Sequence, residues 1–233
     1  MVVNTRFGQT YEVSGEYDAK EELITRLETY GADLAENILL LTAAVDVQDN
    51  RLEYEICGWG MEEECWGVKK AVIMGSPSNP IVWDALDAEL DREYKYKDGR
   101  GLKVVRTFVD SGGHFTSTVY KYCAENQHKG RFAIKGRGGA GVPLIDKTTR
   151  LNMGAFLVIL GVNEGKSEVY SRLKVKSPGK YYCHFPADEE WLRGYDETYF
   201  KGITSEHRVR HSVGGKLIAV RSEEHTSELQ SLA

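Results

Sequence analysis

Two aspartates stand where a carboxylate is costly. Asp46 closes the apolar stretch LTAAVDVQ, and Asp110 closes RTFVDSGG. An acid at the end of a buried strand has to be hydrogen-bonded, paired or bound to a metal. Gly112 and Gly113 follow Asp110 and let other groups approach closely. If both strands run in the same direction side by side, the two acids meet at one end. Paired carboxylates are hard oxygen ligands suited to Mg²⁺ or Mn²⁺. Two such ions can activate a water and stabilise the leaving oxygen in phosphodiester cleavage. The plainer reading is that each Asp caps a loop, because Asp is common at strand ends. Spacing alone leaves both readings open.

Other residues could assist. Gly136, Gly138 and Gly141 form G-x-G-x-x-G after a short strand, but Pro143 and residues 142–146 open no helix, so dinucleotide binding is not supported. The same stretch reads as a flexible loop in which Lys135 and Arg137 could touch a phosphate backbone. No GxxxxGK[ST] is present. His114 lies close after Asp110 and reads as a loop histidine that could reach the site. His207, Arg208, Arg210 and His211 make a small basic run, a solvated face or a weak DNA contact.

The elements that must position these groups follow from patterning. The chain has 233 residues and a net charge of -5, from Lys+Arg 30 against Asp+Glu 35. It is long enough for one domain with an arm, and any nucleic-acid surface must be a local patch. No apolar run reaches membrane-spanning length. The four cysteines include no CxxC and read as reduced residues of an intracellular protein.

Residues 1–37 read as an arm, with a helix from Ala19 to about Tyr30 stopped by Gly31. A buried strand over 38–47 follows, then a half-buried one in which Leu52, Tyr54 and Ile56 alternate with outward Glu53, Glu55 and Cys57. A third strand runs over 65–74, giving an antiparallel meander. Asn79-Pro80 starts a helix carrying Trp83, Leu86 and Leu90. A strand over 103–110, a helix capped by Thr116 or Ser117, and a strand over 131–135 come next. An apolar run covers 155–162, a helix 164–173, an edge strand 181–185 and an aromatic-rich helix or turn 188–201. Right-handed crossovers would set the fourth strand parallel to the first and beside it. The fold class expected is α/β, a ribonuclease-H-like mixed sheet: a three-strand antiparallel meander plus parallel strands, with helices on both faces.

Several ordered blocks also resemble one family. VVNTRFGQTYE, LLTAAVDVQDNRLEYEICGWG, FVDSGGHFTSTVYKYC, GVNEGKSEVYSRL and ITSEHRV look like successive segments of the large terminase subunit of tailed phages, the GpA type. The resemblance spans about residues 2 to 218. It implies an N-terminal packaging ATPase in the parent protein and a C-terminal ribonuclease-H-like nuclease using clustered acids with Mg²⁺ or Mn²⁺. Asp46 matches the family's first-strand Asp, and Asp110 its D-x-G-G Asp. The implied activity is endonucleolytic cutting of concatemeric viral DNA in the cytoplasm of the infected bacterial host. The implied partners are double-stranded viral DNA, the small terminase subunit and the portal, with no membrane.

Two departures shape the expected domain layout. The chain starts where the family's ATPase ends, so ATP would belong only to that upstream domain and 1–37 to a linker. The family's last block, an Asn-Glu-x-x-Asp-like acidic helix, has no counterpart. Residues 221–233, RSEEHTSELQSLA, resemble instead a translated sequencing adapter. The expectation is a nuclease domain over 38–220 with a foreign tail and weak activity. A non-catalytic DNA-docking module of the packaging motor, or another ribonuclease-H-like nuclease such as a resolvase, are the alternatives.

Overall fold

A computed structural model describes residues 19–187, 193–204, 207–213 and 216–222. The expectations for residues 1–18, 188–192 and 223–233 lie outside them. The described chain divides into two compact units, with the breaks after Arg26 and after Tyr195.

The larger unit is built on a nine-stranded sheet. Its strands are β1 (Leu27–Glu28), β2 (Leu40–Gln48), β3 (Arg51–Trp59), β4 (Cys65–Met74), β7 (Val104–Asp110), β8 (Arg131–Arg137), β9 (Ile145–Arg150), β10 (Phe156–Gly161) and β11 (Cys183–Pro186). A small hairpin, β5 (Tyr94–Lys95) with β6 (Gly101–Leu102), stands apart. The order across the sheet is β1-β11-β4-β3-β2-β7-β8-β10-β9. β2, β3 and β4 form the expected antiparallel meander, while β7, β8 and β10 run parallel to β2. The central order β4-β3-β2-β7-β8, meander first and crossover strands after, is the ribonuclease-H-like arrangement.

Helices cover both faces of the sheet. Helix α2 (Pro80–Leu90) starts where Asn79 Oδ1 accepts from the Ile81 amide at 3.1 Å, with Pro80 in its first turn. It buries Val82, Trp83, Leu86 and Leu90, and α3 (Thr116–Glu125) buries Val119, Tyr122 and Cys123. Both pack on the face formed by Leu41, Ala43, Val45, Leu52, Tyr54 and Ile56. Burying these side chains supplies most of the folding drive, about 1.5–3 kcal/mol for each large one. Helix α4 (Val162–Leu173) crosses the opposite face. At its start Val162 sits where a Cβ on Gly136 would come within 2.7 Å, so only glycine fits there. Near its end the Arg172 guanidinium lies 5.7 Å from the Trp59 ring centroid.

Several expectations need correcting. Helix α1 spans only Ala19–Ile24. Beyond it, residues 27–28 leave helical geometry to pair with β11, a tertiary pairing that overrides local propensity. Within the stretch expected to be an arm, Leu34 belongs to the core. The strand near 181–185 is not an edge. It lies between β1 and β4, with His184 stacked on Trp66 and its ring nitrogens 2.7 Å from Glu28 Oε1 and 2.9 Å from Glu64 Oε1. Strand β9 was not expected, because the polar stretch IDKTTR carries no period-two signal.

The smaller unit holds α1, helix α5 (Glu197–Thr204) and a hairpin of β12 (His207–Val213) with β13 (Lys216–Ser222). Lys20 Nζ reaches Glu197 Oε1 at 2.7 Å within it. The expected core boundary at residue 220 falls inside β13. No described helix is long and apolar enough to cross a membrane.

Candidate functional site

The strand register brings Asp46 and Asp110 together. Val45 pairs with Val109 in the parallel β2–β7 ladder, so the next residue on each strand stands beside the other at the shared C-terminal end. Neighbours in register point to the same face. That face is the one opposite the main core, because Leu41, Ala43 and Val45 point the other way. Asp46 is 3% exposed and Asp110 8%.

No cation pairs with either acid within 4 Å among the described residues. Asp46 Oδ2 accepts from Gln48 Nε2, and Asp110 Oδ1 accepts from the Gly112 amide at 3.0 Å. Burial pushes the Asp46 carboxyl above the usual carboxylate range. The Gln48 hydrogen bond opposes that, while the charges of Asp110 and Glu53 add to it. Burial also pushes Asp110 up, against hydrogen bonds from Gly112 and Ser111 and the Lys135 charge. Two acids with raised proton affinity at one strand end have unmet demand for positive charge. That is the condition a hard divalent cation satisfies.

The loop after Asp110 is fixed from several sides. A Cβ on Gly112 would lie 3.3 Å from Asp110 Oδ1, so glycine keeps that oxygen accessible. Ser111 Oγ donates to the Ile134 carbonyl at 2.7 Å. Thr116 or Ser117 was expected to cap α3, but Phe115 stands at the cap position and no side chain caps the helix. The Thr116 hydroxyl instead lies 2.8 Å from the Ser111 carbonyl and 2.9 Å from the Gly113 carbonyl, which ties the loop down. His114 Nδ1 sits 2.9 Å from Asp49 Oδ1, and this exposed pair links the loops after β2 and β7.

A third acid joins them. Glu53 is the cross-strand partner of Asp46, is 8% exposed, and accepts from Arg51 Nε at 2.7 Å. Glu55, 2% exposed, accepts from Tyr195 Oη at 3.0 Å. Both had been read as facing outward. Tyr195 covers Glu55 from the second face, packing against Gly67 on the neighbouring strand. One signal in the sequence could have found Glu53: a two-residue turn at Asp49-Asn50 pairs Gln48 with Arg51, and therefore Asp46 with Glu53. Among the described residues, no three His, Cys, Asp or Glu side chains converge as a ready metal cage.

The basic candidates separate. Lys135 and Arg137 lie in β8 rather than in a flexible loop, and only residues after Arg137 form the connection to β9. Lys135 is exposed, and its charge reaches Asp110. Arg137 Nη1 is held by Asp146 Oδ2 at 2.7 Å. Arg208 and Arg210 lie on β12, paired with Arg221 and Ala219.

A mixed sheet of this order, with two buried aspartates at the ends of the adjacent parallel strands β2 and β7, defines a ribonuclease-H-like domain with a candidate two-acid centre. Residues 1–224 match the family described as "Terminase large subunit gpA, endonuclease domain", and the chain belongs to that family. It is 28% identical over 220 residues to the terminase large subunit of Escherichia phage lambda, covering 92% of this chain and 34% of that protein. It is 29% identical over 222 residues to the terminase large subunit of Enterobacteria phage P21, again covering 92% and 34%. The chain thus spans about a third of the length of the curated relatives it matches. Among solved structures, the nuclease domain of the large terminase subunit gp2 of bacterial virus Sf6 aligns over 86% of both chains, with TM-score 0.49 and 13% identity. A variant of that domain with manganese aligns equally well.

Proposed function

We propose that this chain is a divalent-metal-dependent DNA endonuclease module that cuts concatemeric viral DNA during phage genome packaging, in the cytoplasm of the infected bacterium. The observation that carries the reading is the side-by-side burial of Asp46 and Asp110 without a cationic partner. The residues fit a hard cation. Both acids keep carboxylate oxygens at a strand end, and the Gly112-Gly113 backbone leaves room beside Asp110. Asp46 and Asp110 would hold Mg²⁺ or Mn²⁺, which when bound supplies Lewis acidity toward the phosphodiester and its attacking water. Gln48 and the Gly112 amide orient the two carboxylates. Lys135 places positive charge where a DNA backbone would run. Double-stranded viral DNA is the substrate on this reading, and the small terminase subunit and the portal are the partners.

With no third ligand already in place, activity is expected to be slow. The same observation favours, as a second reading, a DNA-clamping module without cleavage. Single-turnover nicking of supercoiled plasmid with Mn²⁺ decides between them. Nicking abolished by EDTA and lowered at least about 10³-fold by Asp46→Asn or Asp110→Asn is expected, since removing a metal-holding acid removes several kcal/mol of transition-state stabilisation. No nicking above background by the unaltered chain supports the clamp. Nicking that survives both substitutions removes the two aspartates from the mechanism.

A further inference from the structure

Glu53 is hard to explain as a stabilising residue. Its carboxylate is buried next to Asp46, and its charge raises the proton affinity of that acid. Its hydrogen-bond partner is Arg51, a residue only two positions earlier on the same strand and partly open to solvent. That ion pair joins two residues of one strand and so ties no separate elements of the fold together. It does fix the direction of an arginine. Arg51 shares the sheet face of Glu53 and Asp46, by the alternation of β3, and lies nearer the strand end at which both aspartates stand. Nε is held by Glu53 at 2.7 Å, and Nη1 by Asn50 Oδ1 at 3.2 Å. Nη2 has no hydrogen-bond partner among the described residues.

We propose that Arg51, oriented by Glu53, is a positioning residue that grips a DNA backbone phosphate at the strand end where Asp46 and Asp110 stand. A guanidinium presents paired N–H groups in a rigid fork that matches phosphate oxygens, and a lysine cannot reproduce that fork. An arginine on the carboxylates' own face also offsets their repulsion of a polyanion. Glu53 then anchors the arginine so that less side-chain freedom is lost when DNA binds. The inference rests on the nuclease reading for the identity of the ligand.

The test is metal-free binding of a labelled DNA duplex by fluorescence anisotropy across a salt series, using the full 233-residue chain, with thermal melting of each variant alongside. Arg51→Ala is expected to weaken binding about tenfold, the loss of a charge-assisted contact, and to lower the salt slope by about 1. Arg51→Lys should restore the slope but not the affinity. Glu53→Gln should weaken binding severalfold, since the anchor is lost while the arginine remains. Asp46→Asn should act in the opposite sense and tighten metal-free binding. Unchanged affinity and slope in Arg51→Ala, with unchanged melting, overturns the proposal, as does full affinity in Arg51→Lys. If Arg51→Ala melts lower, Arg51→Lys keeps the charge beside Glu53 and decides the matter alone. Absence of DNA binding by the unaltered chain overturns both this proposal and the nuclease reading. Loss of binding in Arg51→Ala in a chain that shows no Mn²⁺-dependent nicking would overturn the nuclease reading while leaving the phosphate grip in place.

Discussion

Two buried charged sites on the central strands are treated in opposite ways. Where β8 begins, Arg131 is 2% exposed, and its guanidinium lies 2.9 Å from both Asp87 and Asp91 of the α2 region. Tyr122 Oη donates to Asp87 at 2.6 Å, and Lys129 reaches Asp91 at 2.7 Å. Burial pushes the Asp91 carboxyl up, but the hydrogen bonds and charges of Lys129 and Arg131 outweigh it and hold it below the ordinary value. At the other end of the same sheet, Asp46 and Asp110 have hydrogen bonds but no paired cation among the described residues, and both are held above the ordinary value. A charge kept for structure is compensated by side chains already in the fold. A charge kept for chemistry is left for something outside the chain to compensate.

That contrast can be broken at either end. The largest effect is expected from Arg131→Met, which leaves two carboxylates facing a site built for a cation. Removing one partner of a buried ion pair costs about 3 kcal/mol or more, read as a fall in the urea midpoint. A variant as stable as the parent would show that the network is not structural.

A smaller effect of opposite sign is expected from Asp46→Asn or Asp110→Asn. A carboxyl raised in the folded state favours the fold below its unfolded value, near 3.8, and that contribution is lost as pH rises through the folded value. At neutral pH each neutral variant should therefore be more stable than the parent by roughly 1 kcal/mol, or about 2–4 °C in Tm. The gain should vanish toward pH 3.8 and shrink when Mn²⁺ is added to the parent. A destabilised variant at pH 7 would place these acids with the structural class.

The smallest effect belongs to Lys135→Ala. One lost phosphate contact lowers the slope of log K against log salt by about 1. Arg137→Ala should shift it less, because Asp146 already holds that guanidinium. Equal slopes for the two would mean that the ion pair opens freely when DNA arrives.

The parts of this arrangement that were legible share a property: each is set by local pattern. The meander, the crossover strand and both aspartates follow from apolar runs ended by turn chemistry. Alternation in β3 suggests one wet face for Glu53 and Glu55, and nothing local announces that Tyr195 will cover Glu55. Arg131 was missed for the same kind of reason, since a charged residue opening a strand ordinarily faces water. Strand β1 has two residues and exists only through its pairing with β11. Thr116 had the chemistry of a helix cap, but two carbonyls of the Asp110 loop lay within its reach. Long-range partners decided each of these cases, and a local pattern carries no information about them.

The position of β11 also governs the order in which the chain can be completed. His184 and Glu28, 2.7 Å apart across this edge, are separated by 156 positions in sequence. A ribosome adding about 5–20 residues per second needs roughly 8–30 s to make that interval. From the point in that interval at which residue 74 has been made, β4 can pair with β3 while its other side stays bare. An unpaired strand side is a template for association with another chain. The nascent domain therefore passes through a window in which its centre can be assembled and its border is open, and the window closes only when β11 arrives between β4 and β1.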